Sequence, residues 1–95
     1  MNLGQIVMTR TVNDTIVENA DFAKHVTDSL RRYCNCDWGD LDKDDWAQND
    51  LADGRIFASY KHPTVPSWTV WIITEADHSY TTILFPSECA PVSRQ

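Results

Sequence analysis

Apolar residues are spaced in two ways along this chain, first every three or four positions and then in short runs, and the change comes near residue 55. Leu3–Met8 is a brief apolar-rich run before a Thr/Asn/Asp cluster, which predicts a short strand or extended arm over residues 1–10. Asn13 and Asp14 are good helix caps, and Ile16, Ala20, Ala23, Val26 or Thr27, Leu30 and Tyr33 follow at helical spacing as far as Cys34. Asn19-Ala20-Asp21 offers a break that would split this stretch into two helices, with Asn19 or Asp21 capping the second. Arg31 and Arg32 suit the negative end of a helix there. Cys34–Asp40 reads as a connector turning at Gly39, and a further helix is expected from Leu41 to Ala52. Asp40 or Asp42 can cap it, Ala47 and Leu51 stand four apart beside Trp46, and Gly54 can stop it.

Beyond Gly54 the runs Arg55–Tyr60, Thr69–Thr74 and Tyr80–Phe85 are rich in β-branched and aromatic residues and predict three strands. Pro63 and Pro66 mark the first connection, and Glu75–Ser79 has hairpin-loop length. Val70-Trp71-Ile72-Ile73 is apolar on both faces, as a central strand covered on both sides would be. Helices should cover one face, and a homodimer or partner contact is the expectation for the other. Pro86 ends the last strand, and Ser87–Gln95 reads as a frayed tail. The expected fold class is therefore α+β: two or three helices on one face of an antiparallel sheet of three to four strands. It forms a single domain over residues 1–95, with a helical part over 13–53 and a meander over 55–86.

Charge changes the picture more than composition does. The chain has 95 residues, 42% hydrophobic and 23% charged, the balance of an ordinary small globule. Its formal net charge of −6 sits in one segment, Asp37–Asp53, where seven aspartates face the single base Lys43. Elsewhere acids and bases cancel. Mutual repulsion disfavours such crowding, so the segment is either simply solvated or made to meet something positive. With a pI near 4.7 and no basic stripe, direct nucleic-acid binding is disfavoured. The converse fits better. Duplex DNA carries about one charge per 1.7 Å of axis and a helix rises about 1.5 Å per residue, so Asp40, Asp42, Asp44 and Asp45 approach the same linear charge density.

Other chemistry is weakly marked. Cys34, Cys36 and Cys89 are odd in number and badly spaced for a disulfide, and His25, His62 and His78 are scattered singly, so no zinc pattern emerges. Asp40-x-Asp42-x-Asp44 begins like a calcium loop but has Asp45 where the turn glycine belongs and Leu51 where the bidentate glutamate belongs. The isolated glycines make no phosphate loop, and no cysteine carries a nucleophile signature. No apolar run reaches the roughly 20 residues of a membrane span, and the start lacks a secretory pattern; a cytoplasmic location in a bacterial host is the expectation.

Asp37-Trp38-Gly39-Asp40-Leu41, Gln48-Asn49-Asp50, Gly54–Tyr60, Trp71–Asp77 and Thr81–Pro86 resemble the blocks of a family of small acidic bacterial proteins carried on plasmids, phages and other mobile elements. The resemblance covers most of the chain; the ending Ser87–Pro91 departs from it. It implies a setting in which small acidic proteins block host defence, anti-CRISPR proteins and restriction inhibitors among them. The resulting expectation is a non-enzymatic inhibitor, with no cofactor, that occupies a basic nucleic-acid-binding protein or CRISPR effector complex. Asp37, Asp40, Asp42, Asp44, Asp45 and Asp50 would supply charge, and Trp38 and Trp46 are candidate anchors. A small metal- or Cys-dependent enzyme and a homodimeric accessory protein of plasmid upkeep are the alternatives.

Overall fold

The structure is a computed structural model that describes residues 3–41, Lys43, Trp46 and residues 55–88. Six main elements follow in order: β1 (Gln5–Met8), α1 (Arg10–Glu18), α2 (Ala20–Cys34), β2 (Ile56–Tyr60), β3 (Val70–Thr74) and β4 (Tyr80–Leu84). Short 3-10 turns at Pro66–Trp68 and Pro86–Glu88 complete them. The α+β class is as expected.

The first helix starts earlier than the Asn13/Asp14 caps suggested. Thr9 is the true cap, its hydroxyl accepting from Val12 N–H, so β1 runs almost directly into α1. Asn19 breaks the helical stretch as its side-chain chemistry allows: its backbone N–H closes α1 on Thr15 while its Oδ1 accepts from Asp21 and Phe22 N–H to open α2. The expected helix over Leu41–Ala52 falls mostly outside the described residues; Lys43 and Trp46, which are described, have helical backbone.

The sheet order is β1-β4-β3-β2. β2, β3 and β4 form the antiparallel meander, with β3 inside it as its two-sided apolar pattern predicted. The sheet is mixed rather than antiparallel, because β1 joins as a fourth strand parallel to β4, with Gln5 opposite Tyr80 and Met8 opposite Ile83. The α1–α2 pair and the long excursion before β2 separate β1 from its neighbour, and such a crossover is what parallel pairing requires.

Strand alternation divides the sheet's two faces. Ile56, Ala58, Tyr60, Val70, Ile72 and Ile83 point toward the helices and form one core with Val12, Phe22, Val26, Tyr33 and Trp38. A line of hydroxyls crosses this core: Tyr33 Oη lies 2.6 Å from Thr74 Oγ1, which lies 2.8 Å from Thr81 Oγ1, which donates to Leu3 O at 2.7 Å. Buried hydroxyls without partners are costly, and here each satisfies the next. Burial pushes the Tyr33 hydroxyl up to about 12. Phe57, Trp71, Ile73, Thr82 and Leu84 point to the other face. There Phe57 and Trp71 meet edge to face at 4.8 Å, and Ile73 and Leu84 are already buried within the single chain.

Candidate partner-binding surface

The acidic segment starts where α2 ends, and the ending is unusual. Cys36 adopts a left-handed backbone, φ 60°, in the position that glycine commonly fills after a helix. Cys36 N–H bonds to Tyr33 O and Asp37 N–H to Arg32 O, closing the last turn and bringing Asp37 back over the helix. Its carboxylate takes two bonds from one guanidinium, Arg32 Nε at 2.8 Å and Arg32 Nη2 at 3.2 Å, and a third from Gly39 N–H at 3.1 Å. That guanidinium, the largest influence, holds the Asp37 carboxyl below the usual carboxylate range, and Asp37 in turn raises Arg32. Arg32 also lies 5.1 Å over the Tyr60 ring.

From Asp37 the chain runs along the outer edge of β2. Ser59 N–H donates to Trp38 O at 3.3 Å, and Asp40 N–H donates to Ser59 O at 2.7 Å, a parallel bridge centred on Gly39 and Ser59. Gly39 has φ 75°, and a side chain there would run into Ser59 O and the Tyr60 ring, so glycine is required by conformation and by space. Tyr60 Oη donates to Asp37 O at 2.7 Å, and Lys61 N–H donates to Asp40 Oδ2 at 2.8 Å.

These contacts sort the expected site residues. Asp37 and Asp40 moor the segment, spending carboxylate capacity on Arg32, Gly39 and Lys61. Trp38 is 1% exposed with its ring 5.3 Å from that of Tyr33, which places it in the core rather than on a docking surface. Trp46 is half-buried and packs against the same core. Asp42, Asp44, Asp45 and Asp50 lie outside the described residues. From the sequence alone Arg32 is only a helix-end charge and Tyr60 a strand residue. The Arg-x₄-Asp spacing across a helix end was the available signal for the first; none marked the second.

A second cluster lies at the same C-terminal end of β2. His25 Nε2 stands 3.2 Å from Tyr60 O, its ring centroid is 5.1 Å from that of His62, and His62 is 4.9 Å from Trp68. His62 Nδ1 accepts from Thr64 and Val65 N–H, so it organises the loop after β2. Burial, the largest influence, lowers His25 from its ordinary value. Asp21, Lys24, Asp28 and Pro63 complete an open depression around the two histidines. Lys24 and Asp28 pair with each other at 2.9 Å, and Arg31 reaches Asp28 at 3.5 Å. Both imidazoles hold backbone, and the described residues that line the depression include no hydroxyl or thiol; the Thr64 hydroxyl, 3.3 Å from His62 Nδ1, shares that nitrogen with the loop backbone.

Among the described residues, no group of three or more His, Cys, Asp or Glu is placed to hold a metal ion. Cys34 and Cys36 are exposed thiols. No described helix is long and apolar enough to cross a membrane. Comparison of the chain with family models, with curated proteins and with solved structures gives no match.

Proposed function

We propose that this protein is a non-enzymatic inhibitor that occupies a basic, nucleic-acid-binding surface of a host defence complex, acting as an anti-CRISPR protein. The observation that carries this reading is the concentration of the entire net charge of −6 in Asp37–Asp53, on a chain that is otherwise neutral. The anchored start of that segment supports it. Arg32, Gly39 and Lys61 absorb Asp37 and Asp40 into the fold, which leaves Asp42, Asp44, Asp45 and Asp50 as the carboxylates for a partner. A closely spaced row of carboxylates competes for a Lys/Arg channel by the same electrostatics that holds a phosphate backbone, and it speeds encounter by steering.

Pull-down with the tagged protein from lysates of CRISPR-bearing and restriction-bearing hosts, at low and high salt, tests the reading. Asp42→Lys/Asp45→Lys runs alongside. The expected result is capture of a nucleic-acid-binding complex that fades with salt and is lost in the variant. Failure to capture such a complex from either host set, or capture that the charge reversal leaves intact, overturns the proposal.

A further inference from the structure

The two edges of the sheet are finished differently, and the unfinished one identifies a partner. β1 bonds to β4 through Gln5 N–H to Ser79 O at 3.2 Å and Thr9 N–H to Ile83 O at 3.1 Å. With Gln5 opposite Tyr80 and Met8 opposite Ile83, this register turns the N–H and C=O groups of Gln5, Val7 and Thr9 toward β4. Those of Ile6 and Met8 therefore point outward, and they have no partner among the described residues. The side chains of the same two residues are 43% and 38% exposed, two of the four large apolar side chains left at the surface of the described residues. Natural edge strands are protected by shortness, charge, proline or a bulge, and β1, though only four residues long, lacks the other three.

We propose that β1 pairs with β1 of a second copy of this chain, antiparallel about a twofold axis through Val7, to join two four-stranded sheets into one of eight. The outward groups dictate the register. An antiparallel pair bonds at every second residue, and only Ile6 opposite Met8 of the second copy, with Met8 opposite its Ile6, uses both outward residues of both copies. Each of those two pairs exchanges both N–H···O bonds, and Val7 meets its own copy between them. Pairing centred on Ile6 would set Met8 against Gly4, whose left-handed φ of 64° takes it out of strand conformation. Pairing centred on Met8 would set Ile6 against Arg10, already the first residue of α1.

The edge suits a second copy, because its two outward residues pair completely with themselves and β1 carries no charge to repel its like. Asp37 and Asp40, at the described start of the acidic segment, lie beside β2, at the opposite border of the sheet. Joining two copies through β1 sets their β2 edges about 34 Å apart at the usual strand spacing. That is several times the roughly 8 Å screening length of physiological salt, so Asp37 and Asp40 of the two copies stay apart. The inference stands on the strand edge and does not depend on what the acidic segment binds.

Sedimentation velocity on the full chain from micromolar to millimolar concentration tests it. The weight-average mass is expected to rise toward twice that of the monomer. Ile6→Lys/Met8→Lys sets lysine against lysine in the proposed register and is expected to weaken self-association at least about tenfold. Ile6→Lys/Met8→Glu sets lysine against glutamate at both pairs and is expected to restore it. Both variants replace exposed side chains whose backbone stays in the β1–β4 ladder, and circular dichroism checks that each is folded. A chain that stays monomeric to millimolar concentration overturns the proposal, as does a dimer indifferent to the double lysine. Failure of the lysine–glutamate variant to recover overturns the register on Val7.

Discussion

The outer edge of β2 and the outer edge of β1 are built from the same starting problem, a strand with unpaired N–H and C=O groups, and they reach opposite ends. At β2 the chain supplies its own cover. Residues Trp38 and Asp40 bond to Ser59, Asp40 reaches Lys61, and Tyr60 reaches back to Asp37. At β1 the described chain stops short, leaving Ile6 and Met8 outward. Both edges depend on a left-handed glycine pressed against a neighbouring carbonyl, Gly39 on Ser59 and Gly4 on His78 and Ser79. The difference lies in the residues after the glycine. Gly39 leads into side-chain acceptors and a run of like charge; Gly4 leads into an uncharged apolar strand. Like charge at a border resists a second copy, whereas an uncharged apolar border does not.

The largest effect should come from removing the ring under the sealed edge. Trp38 is 1% exposed and packs on Tyr33, so Trp38→Ala is expected to destabilise the fold by about 3–5 kcal/mol in urea unfolding. Edge β1 has its own mooring in Thr81, whose hydroxyl donates to Leu3 O inside the core. Thr81→Val leaves that carbonyl and Thr74 short of partners, at an expected cost of about 1–3 kcal/mol, with faster hydrogen exchange at β1 than at β2. Equal loss of protection at both edges would show that the two are one cooperative unit, and the comparison between them would fail.

Much of this was legible in the chain, and the misses have physical reasons. The three meander strands, the break at Asn19 and the two-sided burial of Val70–Ile73 follow from local chemistry and period, which a sequence displays directly. The parallel placement of β1 was not legible, because strand direction depends on a crossover whose path lies in tertiary packing. The start of α1 was misread because Asn13 and Asp14 are good caps in isolation, while Thr9 is the residue that the strand delivers to the helix start. At the site, the charge of Asp37–Asp53 was plain, but its internal division was not. Asp37 is neutralised by Arg32 only because Cys36 takes a left-handed turn that sequence statistics would assign to glycine.

That division gives the next prediction. Asp37→Asn keeps an acceptor for Gly39 N–H and removes the charge that Arg32 faces. Both side chains are more than a third exposed, so solvent screens the pair, and the expected loss is about 1 kcal/mol. Because Arg32 depresses the Asp37 carboxyl below its unfolded value of 3.8, its stabilisation is complete above that pH and fades as pH falls through the lower folded value. The variant should therefore differ from the parent at neutral pH and converge on it in strong acid. A constant gap across the whole range would mean that the ion pair is not what holds the sealed edge.

The smallest effect concerns the end of that same edge, where His25 meets the Tyr60 carbonyl. Asp21, Lys24 and Asp28 of α2 and His62 of the following loop surround it; burial, helped by His62, outweighs the Tyr60 and Trp68 backbone bonds and Asp28 to favour the neutral ring. A folded value below the unfolded 6.5 means that the unfolded chain takes the proton first. Stability from this group is thus full above about pH 6.5 and declines as pH falls toward the folded value, then levels off. His25→Gln keeps a donor for Tyr60 O and removes the titration, so its urea midpoint should change less between pH 7 and pH 5 than that of the parent. β1 contains no titratable side chain, so hydrogen exchange over the same interval should report the change first at Tyr60 and last at Val7. The reverse order would place the acid-sensitive contact at the open edge, and the contrast between a self-sealed border and one that waits for a second chain would have to be redrawn.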